Sequence, residues 1–360
     1  MPTIEWMQLE TTTQKVCGII SVVSNSLLMY LILTKSPRKL GTYKWLMLYT
    51  ACFEFFYACL SFFVGPSIDT RGSIMIAFED MNQVWVSHRV AEIFILVYCS
   101  CFGSSMAFFA VHFMYRYGAV NLEFKQKYIS GLKQLLLYIG PVACGVFWGF
   151  NCWLLMSESE MKTDHMRGHM REKFDLKIED CAYIGLVFWP TDSKGVSHPD
   201  AEAFIGCGVM WIILCTSFMS VFYFGTKCYL WISKKLDNMT NQSQASKSLQ
   251  VQLFYALIVQ AAIPCFLLYM PAATLFTCPM LNIDLNLKYP FMGVTIAIYP
   301  AIDPLPTMLI IKSYRAACIE IFRCRSKNQV GVEYSQNVID NSSARPSVLN
   351  LNQLLSAAAL

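Results

Sequence analysis

The sequence predicts an all-α membrane protein: a seven-transmembrane helix bundle with its N-terminus outside and a short amphipathic eighth helix. Three observations carry this expectation. Apolar residues make up 55% of the 360 and charged residues only 14%, whereas soluble domains carry about 25% charged. Too little polar material remains to cover a soluble globule. The chain also contains seven apolar runs close to the ~20 residues a helix needs to cross a ~30 Å hydrocarbon core. Basic residues, finally, concentrate in alternate connections between those runs.

The runs are Val16 to Leu33, Trp45 to Val64, Val90 to Met114, Gln134 to Met156, Phe204 to Thr226, Val251 to Phe276 and Pro290 to Ile311, and only Glu54, Glu92 and Asp303 are charged within them. Residues 1–15 carry Glu5 and Glu10 and lack the basic lead and cleavage site of a secretory signal. The first run therefore reads as a retained span behind an extracellular N-terminal segment. The first connection holds Lys35, Arg38, Lys39 and Lys44, the third Arg116, Lys125, Lys127 and Lys133, the fifth Lys234, Lys235 and Lys247. Lys312, Arg315, Arg323, Arg325 and Lys327 follow the last run. Short basic connections resist translocation, so these face the cytoplasm. The long fourth connection, 157–202, is acidic, but loops of that length cross with little regard to charge. Residues 16–325 read as the seven-helix membrane domain with its interfacial helix, and 326–360 read as a disordered cytoplasmic tail rich in Ser and Asn. The sequons at Asn238, Asn241 and Asn341 fall on the inner side and are expected to carry no glycan.

Several function classes drop out. A net charge of +4 without a dense Lys/Arg run excludes a nucleic-acid footprint. Most of the 15 cysteines lie in apolar stretches, where cysteine acts as a small hydrophobe, and they define no disulfide framework. No G-x-S-x-G or H-E-x-x-H motif marks an enzyme, and no cofactor is implied. His165 and His169 have the i, i+4 spacing of a metal pair, but their loop setting gives no reason to place a metal there. Two classes remain: a ligand-sensing receptor and a ligand-gated channel or solute carrier. Carriers often show paired interrupted spans in two halves, whereas Pro300, Pro304 and Pro306 cluster in the seventh span alone.

Span three ends in His112-Phe113-Met114-Tyr115-Arg116-Tyr117, and span seven holds Tyr299-Pro300-Ala301-Ile302-Asp303-Pro304-Leu305-Pro306. The first reads either as an aromatic belt with a snorkelling base or as a partner contact. In the second, two prolines each delete a backbone donor around an intramembrane acid, giving a static kink or a moving part. Leu40-Gly41-Thr42-Tyr43-Lys44, the His112 to Tyr117 segment, Leu249-Gln250 with Gln252-Leu253-Phe254 and Ala256-Leu257, Gln260 with Ile263-Pro264, and Tyr299-Pro300 with Asp303-Pro304-Leu305 and Ile310-Ile311 follow in order. Together they resemble nematode serpentine chemoreceptors, and most closely the Str family of diacetyl-receptor-like seven-transmembrane G-protein-coupled receptors. The resemblance implies a multi-pass plasma-membrane protein of sensory-neuron cilia that binds a small odorant and signals through a heterotrimeric G protein. It places Arg116 where rhodopsin-like receptors carry their aspartate-arginine-tyrosine arginine, with Tyr115 in place of the acid. Asp303-Pro304 resembles the asparagine-proline element of span seven, with Thr307 in place of its tyrosine. Oligomers with itself or another receptor stay open.

The switch candidates are Arg116, Tyr115, Tyr117, His112, Asn25, Glu54, Tyr299, Pro300, Asp303 and Pro304. Asn25, Glu54 and Asp303 sit at middle-to-inner depths by helical rise and can form one polar cluster. If the two acids are close, repulsion in low dielectric favours a shared proton or a cation. His112, one turn before Arg116, reads as a packed neutral side chain. Aromatic and sulfur-bearing residues of the outer halves, Tyr98, Phe102, Met210, Trp211, Tyr269 and Thr295, are ligand-pocket candidates or ordinary packing. Glu92 either receives a polar ligand or reaches headgroups. Cys181 and Cys278 could pair in an oxidising exterior. Tyr314, Cys318, Ile321 and Phe322 make one apolar stripe after span seven, with lipid as a partner, and Cys324 is a palmitoylation candidate beside the free-thiol reading.

Overall fold

The computed structural model describes residues 2–192, 194–237, 244–285, 291–321 and 323. Seven helices in it are long and apolar enough to cross a membrane. Span one is Pro2–Lys35, span two Tyr43–Phe63, span three His88–Val120 and span four Leu135–Met156. Span five is Ala201–Asp237, span six Gln244–Pro264 continued through a π-turn at Cys265–Tyr269 into Met270–Met280, and span seven Met292–Ile302 followed by Pro304–Ile310. The helices outrun their apolar stretches. Span three has 33 residues, about 50 Å at 1.5 Å per residue, well beyond a ~30 Å hydrocarbon core. Helix runs unbroken from Pro2 to Lys35, because no proline or glycine between Thr3 and Cys17 stops it.

Spans three and four pack closely because the sequence clears space between them. A Cβ on Gly145 would fall 2.5 Å from the Ser100 carbonyl oxygen, one on Gly149 would collide with Ser100 Oγ, and one on Gly103 would fall 2.6 Å from Trp148 Cβ. Small residues at such a seam let two membrane helices approach where no hydrophobic drive exists between them. The π-turn in span six lies between Pro264 and Pro271. Each proline lacks the N–H that regular α-helix would use, and the ladder slips by one residue between them.

The outer connections, read from sequence as loops, hold a small domain. Strands β1 (Ser67–Arg71) and β2 (Ile74–Asp80) form an antiparallel hairpin turning at Gly72, whose φ of 52° suits glycine. Strand β3 (Cys181–Val187), from the fourth connection, adds antiparallel to β2 with Ile76 opposite Gly185. Alternation is strict. Met75, Ala77, Ala182, Ile184 and Leu186 join the core of the bundle. Ile76, Phe78, Cys181, Tyr183 and Val187 pack instead on Met166, Met170 and Phe174 of a helix at Glu160–Phe174. Ser159 caps that helix by accepting from Lys162 N, and Lys162 Nζ donates to the carbonyls of Leu155 and Ser157, each at 2.9 Å, closing the end of span four. Within the domain, buried Asp69 accepts from His169 Nε2 at 2.8 Å and from Lys173 Nζ at 2.7 Å.

Two pairs singled out in the sequence fall in or beside this domain. Cys181 and Cys278 are both free thiols, because β3 turns Cys181 into the face covered by the outer helix while Cys278 stands at the end of span six. His165 and His169 do not converge: His169 is engaged by Asp69, and His165 Nε2 accepts from Thr191 N. Among the described residues no three His, Cys, Asp or Glu side chains gather as a metal site.

The chain divides into one compact unit through Tyr314 and a second from Arg315. In the second, residues 315–321 are helical. Phe322, Cys324, the three sequons and the tail 326–360 lie outside the described residues.

Candidate functional site

Among the described residues, one cavity lies in the outer half of the bundle and another in the inner half. The outer, of about 70 Å³, has walls from span three (Tyr98, Cys99, Phe102), span four (Trp148, Cys152, Met156), Met210 of span five, Leu275 and Phe276 of span six and Met292 and Ile296 of span seven. The sheet completes it with Ile68, Met75, Ala77 and Ile184. Apolar atoms dominate, so a ligand gains there chiefly by leaving water. Tyr98 OH is the polar group on this wall, beside the hydroxyls of Tyr57 and Ser61.

Of the ligand candidates, Tyr98, Phe102 and Met210 line this cavity. Trp211 and Tyr269 pack against the surrounding core, with Tyr269 OH paired to Ser217 Oγ at 2.7 Å. Thr295 Oγ1 donates into its own helix at Met292 O. Glu92 is half-buried and does not line the cavity. The wall supplied by the sheet was missed: Ile74 to Phe78 is one continuous apolar run, which shows no strand alternation.

The inner cavity, about 40 Å³, is polar on one side and lined by Tyr43, Thr50, Glu54, His112, Gln260 and Asp303. Span seven organises it. Pro304 lacks the N–H that would bond to the Pro300 carbonyl, and that oxygen instead accepts from Ser21 Oγ at 2.8 Å and Asn25 Nδ2 at 3.1 Å. Two span-one side chains thus dock on the break. Tyr299 OH donates to Glu54 Oε1 at 3.1 Å, and Gln260 Nε2 donates to Asp303 Oδ2 at 3.2 Å. The Glu54 and Asp303 carboxyls face each other within hydrogen-bonding reach. Asn25, Glu54, Tyr299, Pro300, Asp303 and Pro304 are therefore brought together.

From this cluster the cavity leads to His112, which is held on both nitrogens, by Thr50 Oγ1 at 2.7 Å and Tyr43 OH at 3.2 Å. Tyr43 also lies under Arg116, whose guanidinium carbon is 5.3 Å from the ring centroid. Arg116 is only 2% exposed, so it does not snorkel to headgroups. Tyr115 stacks on Tyr43 and its hydroxyl pairs with Thr42. Tyr117 points the other way, into rings of Phe124 and Phe224, and its hydroxyl accepts from Asn121 Nδ2. Sequence reasoning quoted Tyr43 and Gln260 only as motif residues. Their roles as bridges depend on contacts between spans, which no local pattern encodes.

A bundle of seven membrane helices with an apolar outer chamber and a buried polar line behind it is the architecture of a seven-transmembrane receptor. The chain belongs to the family described as serpentine type 7TM GPCR chemoreceptor Str, which it matches over residues 10–319. It is 31% identical over 321 residues to the G-protein coupled receptor str-217 of Caenorhabditis elegans, covering 88% of this chain and 90% of that receptor. It is 29% identical over 331 residues to serpentine receptor class r-10 of the same species, covering 90% and 94%. With G-protein coupled receptor str-33 it shares 22% over 324 residues. The family is one of multi-pass membrane receptors and not of enzymes or carriers.

Proposed function

We propose that this chain is a chemosensory receptor that binds a small apolar ligand in the outer cavity and activates a heterotrimeric G protein from its inner end, in the membrane of sensory-neuron cilia. The observation that carries the reading is the pairing of a dry outer chamber with a polar line from Glu54 and Asp303 through His112 and Tyr43 to Arg116. Ligand in the chamber touches Met292 and Ile296, one to two turns above Tyr299 on the same helix segment. A ligand preferring one position of that segment shifts the population by its differential affinity alone. The break at Asp303 lets the segment move without carrying Pro304–Ile310 with it. Release of Arg116 from Tyr43 then exposes a guanidinium suited to hydrogen-bonding a partner's backbone carbonyls.

The test is a second-messenger and membrane-current response to small odorants in cells expressing the chain, with and without G-protein blockade and with Arg116→Ala. A response abolished by blockade and by the variant, with surface expression preserved, supports the reading. A current that persists through both overturns it.

A further inference from the structure

We infer that the outer cavity contains a binding site for a soft monovalent metal ion of the Cu(I) class, held between spans three and four by the thiols of Cys99 and Cys152. The glycine seam described above brings these helices close at this depth, and there the two cysteines are neighbours on the cavity wall. Both are free thiols and both line the cavity. The rest of its wall is unusually rich in sulfur, with thioethers from Met75, Met156, Met210 and Met292. Among the described residues that line it, none carries an imidazole, carboxylate or amide side chain.

That donor set selects by softness. Thiolate and thioether sulfur favour Cu(I), whereas Mg²⁺ and Ca²⁺ require oxygen and Cu(II) prefers nitrogen and oxygen donors. Two ligands suffice for a d¹⁰ monovalent ion, which accepts linear coordination, so a third side chain is not required. Charge balance fits the setting as well. Cu⁺ joining two thiols with loss of one proton to solvent gives a neutral thiolate–copper–thiol unit, which an apolar chamber holds without an unpaired charge. No oxidation or reduction accompanies the step. The bound ion would tie span three to span four and place an electrophilic atom on the chamber wall.

The test uses the full chain purified in detergent under anaerobic reducing conditions, titrated with Cu(I) buffered by bicinchoninate. One ion per receptor is expected. Cys99→Ser and Cys152→Ser are each expected to lower affinity at least tenfold, while Cys144→Ser, whose thiol donates to the Gly103 carbonyl and does not line the chamber, leaves it unchanged. Wild type that binds no copper, or binds it equally after either substitution, overturns the proposal. A copper absorption-edge spectrum of the wild type keeps the test independent of how the variants fold: a shell of sulfur alone is expected, and nitrogen or oxygen neighbours overturn the assignment. Neither readout involves odorant or G protein, so the site stands or falls separately from the signalling function.

Discussion

Tyr299 carries one hydroxyl and two consequences. It satisfies Glu54, and its ring packs edge-on against Phe109 of span three. Tyr299→Phe keeps the ring and removes the donor, which leaves a buried carboxyl oxygen short of a partner at a cost of about 1–3 kcal/mol. A lowered melting temperature in detergent and an altered basal signal are expected; an unchanged melt would show that the hydroxyl is not coupled to the acid pair. Outside the membrane, burial first and neighbouring Asp80 second push the Glu79 carboxyl up to about 8, against the opposing pull of Lys15. Between the ordinary glutamate range and about 8, the folded chain keeps a proton that the unfolded chain has lost. The outer domain is therefore expected to lose stability as pH rises through that window and to level off above it. Protease resistance of the outer domain from pH 5 to 9 checks this, and Glu79→Gln should flatten the dependence.

At the scale of elements, the seam between spans three and four is the tightest feature. Gly145→Ala sets a methyl group 2.5 Å from the Ser100 carbonyl oxygen, which is backbone and cannot swing aside. A loss of about 1–3 kcal/mol is expected from overpacking, and Gly149→Ala should cost less because its nearest obstacle is the rotatable Ser100 hydroxyl. Equal melting temperatures for the two variants would contradict this ranking. In the outer domain, Asp69→Ala strands His169 and Lys173 at a buried position. Losing one partner of such a pair costs about 3–5 kcal/mol, and faster proteolysis of the outer connections with the bundle still folded is the expected readout. The spans were legible because membrane helices advertise themselves by length and hydropathy. Strands β1 to β3 were not, because a third of the sheet comes from a connection about 100 residues later, and pairing across that distance leaves no periodic trace that identifies the partner. His169 was visible as a residue, but its partner Asp69 was not.

Across the whole molecule, helical rise suggested that Asn25, Glu54 and Asp303 could form one polar cluster, and the structure adds how these side chains are joined. The proline-freed carbonyl of Pro300 gathers span one, the acids gather spans two, six and seven, and Tyr43 passes the line to span three. Pro304→Ala returns an N–H to that carbonyl and competes with Ser21 and Asn25. The variant is expected to straighten span seven and reduce ligand efficacy several-fold while leaving surface expression near normal; full efficacy would mean that the break is only architectural. The outer sheet also bears on descent. Because β2 pairs with β3 residue for residue, from Ile74 opposite Val187 to Asp80 opposite Cys181, the second and fourth connections cannot diverge independently. A recombinant receptor inheriting one of them from a relative would meet a partner strand tuned to a different register. Repertoires of such receptors should therefore diversify these two stretches as a linked pair.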